Sequence, residues 1–298
     1  MVENKKRWED IARKYRIYIK LEKRLSENSV DAYMSDLAAF AHYILRMKDL
    51  PPRKVEQEHI EQYMAWLFDR GASKNTQARI LSALRSLFGY MQLCDLIEVS
   101  PLEFIEAPRT SRKLPEVLSL SEIDRIISAI DPSTTKGLRD RAIIELLYSC
   151  GLRVSEATNI RLCDLFFGEG YIRVIGKGDK ERLVPVSPLA RERIQLYLDV
   201  RAPSGSNEEV LFLNNRGNAL TRVMVFTLLK RATQLSGVQK KVSPHTLRHS
   251  FATHLLEGGA SIRQVQEMLG HENIVTTEIY THLDAERLRE TVEKYLPI

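Results

Sequence analysis

His245 and Arg248 stand three positions apart in SPHTLRHS, so a helix running through them turns both side chains to one face. Arg153 lies just after Gly151 in CGLRVSEA, where one helical pattern has ended. A guanidinium offers planar paired donors that match two oxygens of a phosphate. Two such arginines could clamp a single phosphodiester. Each alone has a plainer use as half of a surface ion pair, Arg153 with Glu156 for example, so only the ensemble argues for a site. Lys177 sits between Gly176 and Gly178. Glycines let a turn approach a ligand closely, and a lysine at its tip could reach a phosphate or donate a proton to a leaving oxygen; the alternative is an exposed turn lysine. The GxxxxGK[ST] spacing of a phosphate-binding loop is absent, as is a dinucleotide-binding glycine pattern. Tyr280 follows His271 by nine residues in GHENIVTTEIYTHL. A tyrosine is usually packing. It becomes a nucleophile only beside cations that stabilise the phenolate and orient a phosphate, and Arg153, Lys177, His245, Arg248 and His271 are the candidates.

Five of the seven histidines (His245, His249, His254, His271 and His282) fall in the last fifth of the chain. A zinc site is the other chemistry they suggest. His245 and His249 have helical spacing, but no Glu follows His245 to make HExxH, no cysteine is near, and Arg248 between them would repel a cation. No metal and no cofactor are expected. Cys94, Cys150 and Cys163 form no CxxC pair, which points to neither a zinc ribbon nor a disulfide framework and fits a reducing compartment.

These residues must be held by elements whose periodicity is readable. Val30, Tyr33, Leu37, Phe40, Ala41 and Ile44 recur at helical spacing after a capping Ser26 or Asn28. Further helices are expected over Trp8–Leu21, Glu56–Phe68 with a stop at Gly71, and about Asn75–Met91. Residues 1–107 therefore read as a helical bundle. Pro101, Pro108 and Pro115 without periodicity mark a basic linker, placed at 108–117. Residues 118–298 read as α+β. Helices are expected after Ser119 or Ser121, over Leu138–Tyr148, after Pro188, from Ser243 and Pro244 to Gly258, and over Ser261–Leu269. Tyr171–Ile175 and Leu183–Val186 form a hairpin around the Gly-Lys-Gly turn. The fold class is thus mainly α with a small antiparallel sheet. The formal net charge is +5, a mild excess that suits a polyanionic partner. The N-terminus carries no apolar signal region and no run of 18 apolar residues occurs, so neither secretion nor a membrane span is expected. The cytoplasm is the expected location.

Together GLRVSE, GKGDKERLVPV, SPHTLRHSFATHLLEGGASIRQVQEMLGH and TTEIYTH resemble, in order and spacing, the motifs of the tyrosine recombinase/integrase family, and the whole chain is most similar to its Xer branch. The resemblance implies a SAM-like core-binding domain ahead of an α+β catalytic domain, the two gripping DNA as a C-shaped clamp. It implies that Arg153 and Arg248 hold the scissile phosphate and that Lys177 protonates the departing 5′ hydroxyl. By the same resemblance His245 assists proton transfer, His271 positions the phosphate, and Tyr280 forms a 3′-phosphotyrosyl bond without metal or ATP. Lys74, Arg79 and Arg85 are the corresponding DNA-binding candidates in the first domain, where a solvated helix face is the competing explanation. Implied partners are duplex DNA with a short, partly palindromic site, a tetramer of recombinase protomers with or without a second recombinase, and a DNA translocase. Chromosome dimer resolution in the nucleoid is the expected role. An integrase of a mobile element would use the same chemistry; a non-catalytic DNA-binding protein would lack one of the six residues.

Overall fold

The computed structural model describes residues 2–108, 116–176, 180–204, 207–270 and 282–296, with side chains of the last segment from Leu288 onward. It divides into two compact units, Met1–Lys113 and Leu114–Ile298.

The first unit holds α1 (Val2–Leu21), α2 (Glu27–Met47), a 3-10 turn at Pro52–Lys54, α3 (Gln57–Asp69) and α4 (Lys74–Leu93). Ser26 and Ser73 cap α2 and α4, accepting from the amides of Ser29 and Thr76, each such cap contributing about 1 kcal/mol. Gly71 closes α3 in the left-handed region, at φ 77°. α1 begins six residues ahead of the expected Trp8. Its first turns carry no apolar stripe and are held instead by the Glu3–Arg7 pair and by Asn4 donating to the Asp49 carbonyl. Trp8, Tyr15, Phe40, Tyr63, Leu84 and Phe88 are buried in one core.

The second unit contains α5 (Leu120–Ser128), α6 (Thr135–Ser149), α7 (Val154–Asn159), β1 (Leu165–Phe166), β2 (Tyr171–Ile175), β3 (Glu181–Pro185), α8 (Pro188–Leu198), α9 (Arg222–Leu235), α10 (Pro244–Gly258), α11 (Ile262–Leu269) and α12 (His282–Tyr295). α6 is buried on nearly every side, as expected of a helix at the centre of a domain. Three elements depart from expectation, the first being the six-residue α7, which no expected helix covered. The hairpin is part of a three-stranded sheet in the order β1-β2-β3, with Val174 opposite Arg182 and Ile172 opposite Val184; β1 has only two residues, too few for an alternation. α9 was not separately expected, although Thr221 caps it and Val225, Leu228, Leu229 and Ala232 are its buried stripe. In α12, Leu288, Val292 and Leu296 join the core of their own domain, and Gln264 Nε2 donates to Thr291 Oγ1 at 2.9 Å.

Gly151 ends α6 at φ 58°, and a Cβ there would lie 2.4 Å from Phe251 Cδ1 and 3.1 Å from Leu269 Cδ2. Left-handed backbone costs an L-residue about 1–2 kcal/mol, and overpacking adds about 1–3 kcal/mol. Gly151→Ala is therefore expected to lower unfolding free energy by about 3 kcal/mol in urea titrations. A change below about 1 kcal/mol would show that the turn relaxes freely.

Candidate active site

The site is built on the ends of helices. Arg153 is the N-cap of α7, Glu156 lies one turn in, and Arg248 projects from the first turns of α10 behind the Ser243 cap and Pro244. Arg182 comes from β3. On this strand Arg182 and Val184 share the inward face opposite Val174 and Ile172, so alternation places a charge where a core residue is expected.

That charge has one partner. The Glu156 carboxylate, 4% exposed, receives Arg182 through both terminal nitrogens, Nη1 to Oε1 and Nη2 to Oε2, each at 2.9 Å. Arg153 donates from Nη1 to Oε1 at 2.9 Å and from its backbone amide to Oε2 at 2.8 Å. Arg248 Nη1 stands 3.9 Å from Oε2. Arg248 itself donates to the carbonyls of Gly151 at 2.7 Å and Leu269 at 2.6 Å, so it pins the C-terminus of α6 to that of α11. Arg182 Nε donates to the Met268 carbonyl and Arg153 Nη2 to that of Gly270.

Three guanidiniums thus surround one carboxylate, which leaves two positive charges in excess. A buried surplus charge is costly unless an anion joins it. Burial, then repulsion from Arg153, lowers Arg248 to about 10, so it stays protonated at neutral pH. Burial alone would raise the Glu156 carboxyl, but the hydrogen bonds and charge of Arg182 and the bonds from Arg153 outweigh it, and the net displacement is below the ordinary carboxylate range. The unfilled guanidinium donors are what the group can offer a phosphate.

Lowering of the folded-state value means that Glu156 contributes stability above its unfolded pKa, and that this contribution is lost as pH falls through the folded value. Glu156→Gln is expected to cost about 3 kcal/mol at pH 7, because Arg182 is left buried without a counter-charge. The difference from wild type should shrink below about pH 4.5, the ordinary glutamate range. Urea titrations from pH 3.5 to 7 measure it. A difference independent of pH would show that charge at Glu156 is not what stabilises.

Of the expected site residues, Arg153 and Arg248 meet at Glu156, and the plain Arg153–Glu156 ion pair is real but is only part of the cluster. His245 is exposed on the first turn of α10, three residues before the buried Arg248. Lys177, His271 and Tyr280 lie outside the described residues. The chain leads to the first two from the cluster. Gly176 precedes Lys177, and a Cβ on it would be 3.5 Å from Arg182 Nη1 and 3.8 Å from Glu156 Oε1. Gly270, whose carbonyl meets Arg153, precedes His271. Arg182 and Glu156 as its buried partner were not expected; the inward arginine in the strand alternation was the available signal. In the first unit Lys74 is exposed at the start of α4. Arg79 pairs with the buried Asp36 while its side chain stays 47% exposed, and Arg85 donates to the Ile105 carbonyl, which leaves its charge in place. Among the described residues no group of three His, Cys, Asp or Glu side chains could hold a metal, and no helix is long and apolar enough to cross a membrane.

A helical first unit followed by an α+β unit with this arginine cluster defines a class. The catalytic-domain model of the phage integrase family matches residues 116–287, and the model for its N-terminal SAM-like domain matches residues 12–92; the chain belongs to the phage integrase family. Within it, the chain resembles Xer-type tyrosine recombinases. It is 40% identical over 294 residues to tyrosine recombinase XerD of Listeria monocytogenes serovar 1/2a, covering 97% of this chain and 99% of the relative. It is 38% identical to tyrosine recombinase XerC of Syntrophus aciditrophicus, covering 97% and 98%. Among solved structures, XerH recombinase bound to its palindromic difH substrate in a post-cleavage complex superposes with a TM-score of 0.70 at 28% identity, covering 89% of this chain and 79% of that one.

Proposed function

We propose that this chain is a site-specific DNA recombinase that cuts and rejoins duplex DNA through a 3′-phosphotyrosyl intermediate, in the manner of Xer-type chromosome dimer resolution. The observation that carries the reading is the convergence of Arg153, Arg182 and Arg248 on the single carboxylate of Glu156, a cationic cradle whose backbone continues directly into Lys177 and His271. The Tyr280 oxygen attacks the phosphorus held by Arg153 and Arg248. The bond to the 5′ oxygen breaks, Lys177 supplies that oxygen's proton, His245 assists removal of the phenol proton, and His271 steadies the phosphate. A 5′ hydroxyl from the partner strand then reverses the step, releasing Tyr280. One phosphodiester is exchanged for one phosphotyrosyl ester each time, so neither ATP nor a metal is required.

The domain of residues 1–107 contributes duplex contacts, with Lys74, Arg79 and Arg85 as its candidates, the linker spans 108–117, and residues 118–298 carry the chemistry. The chain acts on a short, partly palindromic site as an assembly of protomers, in the nucleoid, with a second recombinase and a DNA translocase as candidate partners. Binding spread over many phosphates falls steeply with salt. The test is a nicked suicide duplex carrying a site selected by binding from random sequence. Wild type is expected to leave a denaturation-resistant protein–DNA adduct, in EDTA as well as without it. Tight, specific binding with no adduct would leave a DNA-binding protein and overturn the enzyme reading.

A further inference from the structure

The recombinase reading leaves unexplained why a third arginine, from a strand, is buried beneath the two that face the phosphate. Arg182 is 6% exposed and, among the described residues, bonds only to Glu156 and the Met268 carbonyl. It reaches three separately folded pieces. Through Glu156 it touches the carboxylate that also holds the Arg153 guanidinium and backbone amide. Through Nε it donates to the Met268 carbonyl at the end of α11, two residues before Gly270 and three before His271. Its own strand pairs with β2, and its guanidinium lies against Gly176, the residue before Lys177. Gly270 favours glycine, because φ is 64° and a Cβ would come within 3.2 Å of Arg182 Nε and Nη1. Gly176 and Gly270, which precede Lys177 and His271, are thus both packed on this one side chain.

We infer that Arg182 is the positioning residue of the active site, fixing Arg153 relative to Gly176 and Gly270, the residues that precede Lys177 and His271, by gripping Glu156 and the end of α11. The inference rests on the recombinase reading. Its physical basis is geometric. An end-on guanidinium–carboxylate pair with two parallel bonds sets orientation as well as distance. A lysine in the same place keeps the charge, but as a point charge with no fork, and cannot hold Glu156 and the Met268 carbonyl in the same arrangement. An ordinary core residue at this position would fill the space, yet Glu156 would be free to rotate and take Arg153 with it.

The test uses the full chain with Arg182→Lys and Arg182→Met, assayed by single-turnover cleavage of the nicked suicide duplex at saturating protein. Duplex affinity and thermal midpoint are measured in parallel. Both variants are expected to cleave about 10–100-fold more slowly, the loss usual for residues that hold a reactive group from behind, with duplex affinity within about threefold. In Arg182→Met the acid limb of the cleavage profile should also move to higher pH, because Glu156 loses the cation that holds its carboxyl low. Cleavage within threefold of wild type by either variant overturns the inference. So does a loss of rate matched by equal losses of affinity and folded fraction, which assigns Arg182 a structural role only. If wild type itself forms no adduct, the recombinase reading fails and takes this inference with it; a normal wild-type adduct with unimpaired variants defeats the inference alone.

Discussion

Tyr280→Phe is expected to abolish the covalent adduct on a nicked suicide duplex while leaving duplex affinity within about twofold of wild type. The reaction needs a nucleophilic oxygen, and phenylalanine differs from tyrosine by that oxygen only. Phosphate-binding groups remain in the variant, so its complex should form and stall. A tyrosine oxygen is a weak nucleophile at neutral pH until cations nearby favour its ionised form; in the proposed reaction that is the task of the arginines around Glu156, of which Arg248 remains protonated to about 10. Denaturing gels of the quenched reaction separate free from linked protein. An adduct of wild-type yield from Tyr280→Phe would mean that another side chain attacks; the next step would be peptide mapping of the linked residue.

Sequence periodicity carried most of the fold, and its failures have physical causes. Of the expected alternatives Ser26 or Asn28 and Ser119 or Ser121, the first of each is the cap, since a side-chain oxygen ahead of an apolar stripe is a local signal. α1 outran its apolar pattern because its first turns are held by ion pairs and a distant carbonyl, neither visible in a stripe. β1 is defined by pairing with β2 alone, which no two-residue window encodes. For the site, motif order delivered Arg153 and Arg248, and helical spacing put His245 near Arg248. What binds them together could not be read that way. Glu156 is shared among three arginines from α7, β3 and α10, and such a shared partner is a tertiary fact. The same limit applies to Arg79 and Arg85, whose contacts with Asp36 and the Ile105 carbonyl no helical spacing encodes.

Arg248→Ala is the second large effect expected, and its origin can be divided into two parts. The first is chemical. Attack on a phosphodiester builds negative charge on the non-bridging oxygens, and removing one fixed donor from such a site typically costs about 10²–10³ in rate. The second is structural. Arg248 is 8% exposed and satisfies the carbonyls of Gly151 and Leu269, which the helix ends leave without intrahelical donors. Its loss strands both, at about 1–3 kcal/mol for each buried unsatisfied group. Arg248→Lys separates the parts, because an ammonium can reach one carbonyl while keeping the charge, but lacks the planar fork needed to serve both carbonyls and the phosphate. Single-turnover cleavage should therefore fall about 10²–10³-fold in Arg248→Ala and by at least tenfold in Arg248→Lys, each rate corrected for the folded fraction measured by urea titration. Duplex affinity should change far less, since binding is distributed over many phosphates and the catalytic one is a single contact among them. Cleavage by Arg248→Ala within tenfold of wild type would remove this guanidinium from the phosphate and leave it as a brace between α6 and α11. Arg153 would then have to carry the developing charge from a position already shared with Glu156, where its outer side chain is 36% exposed and screened by solvent.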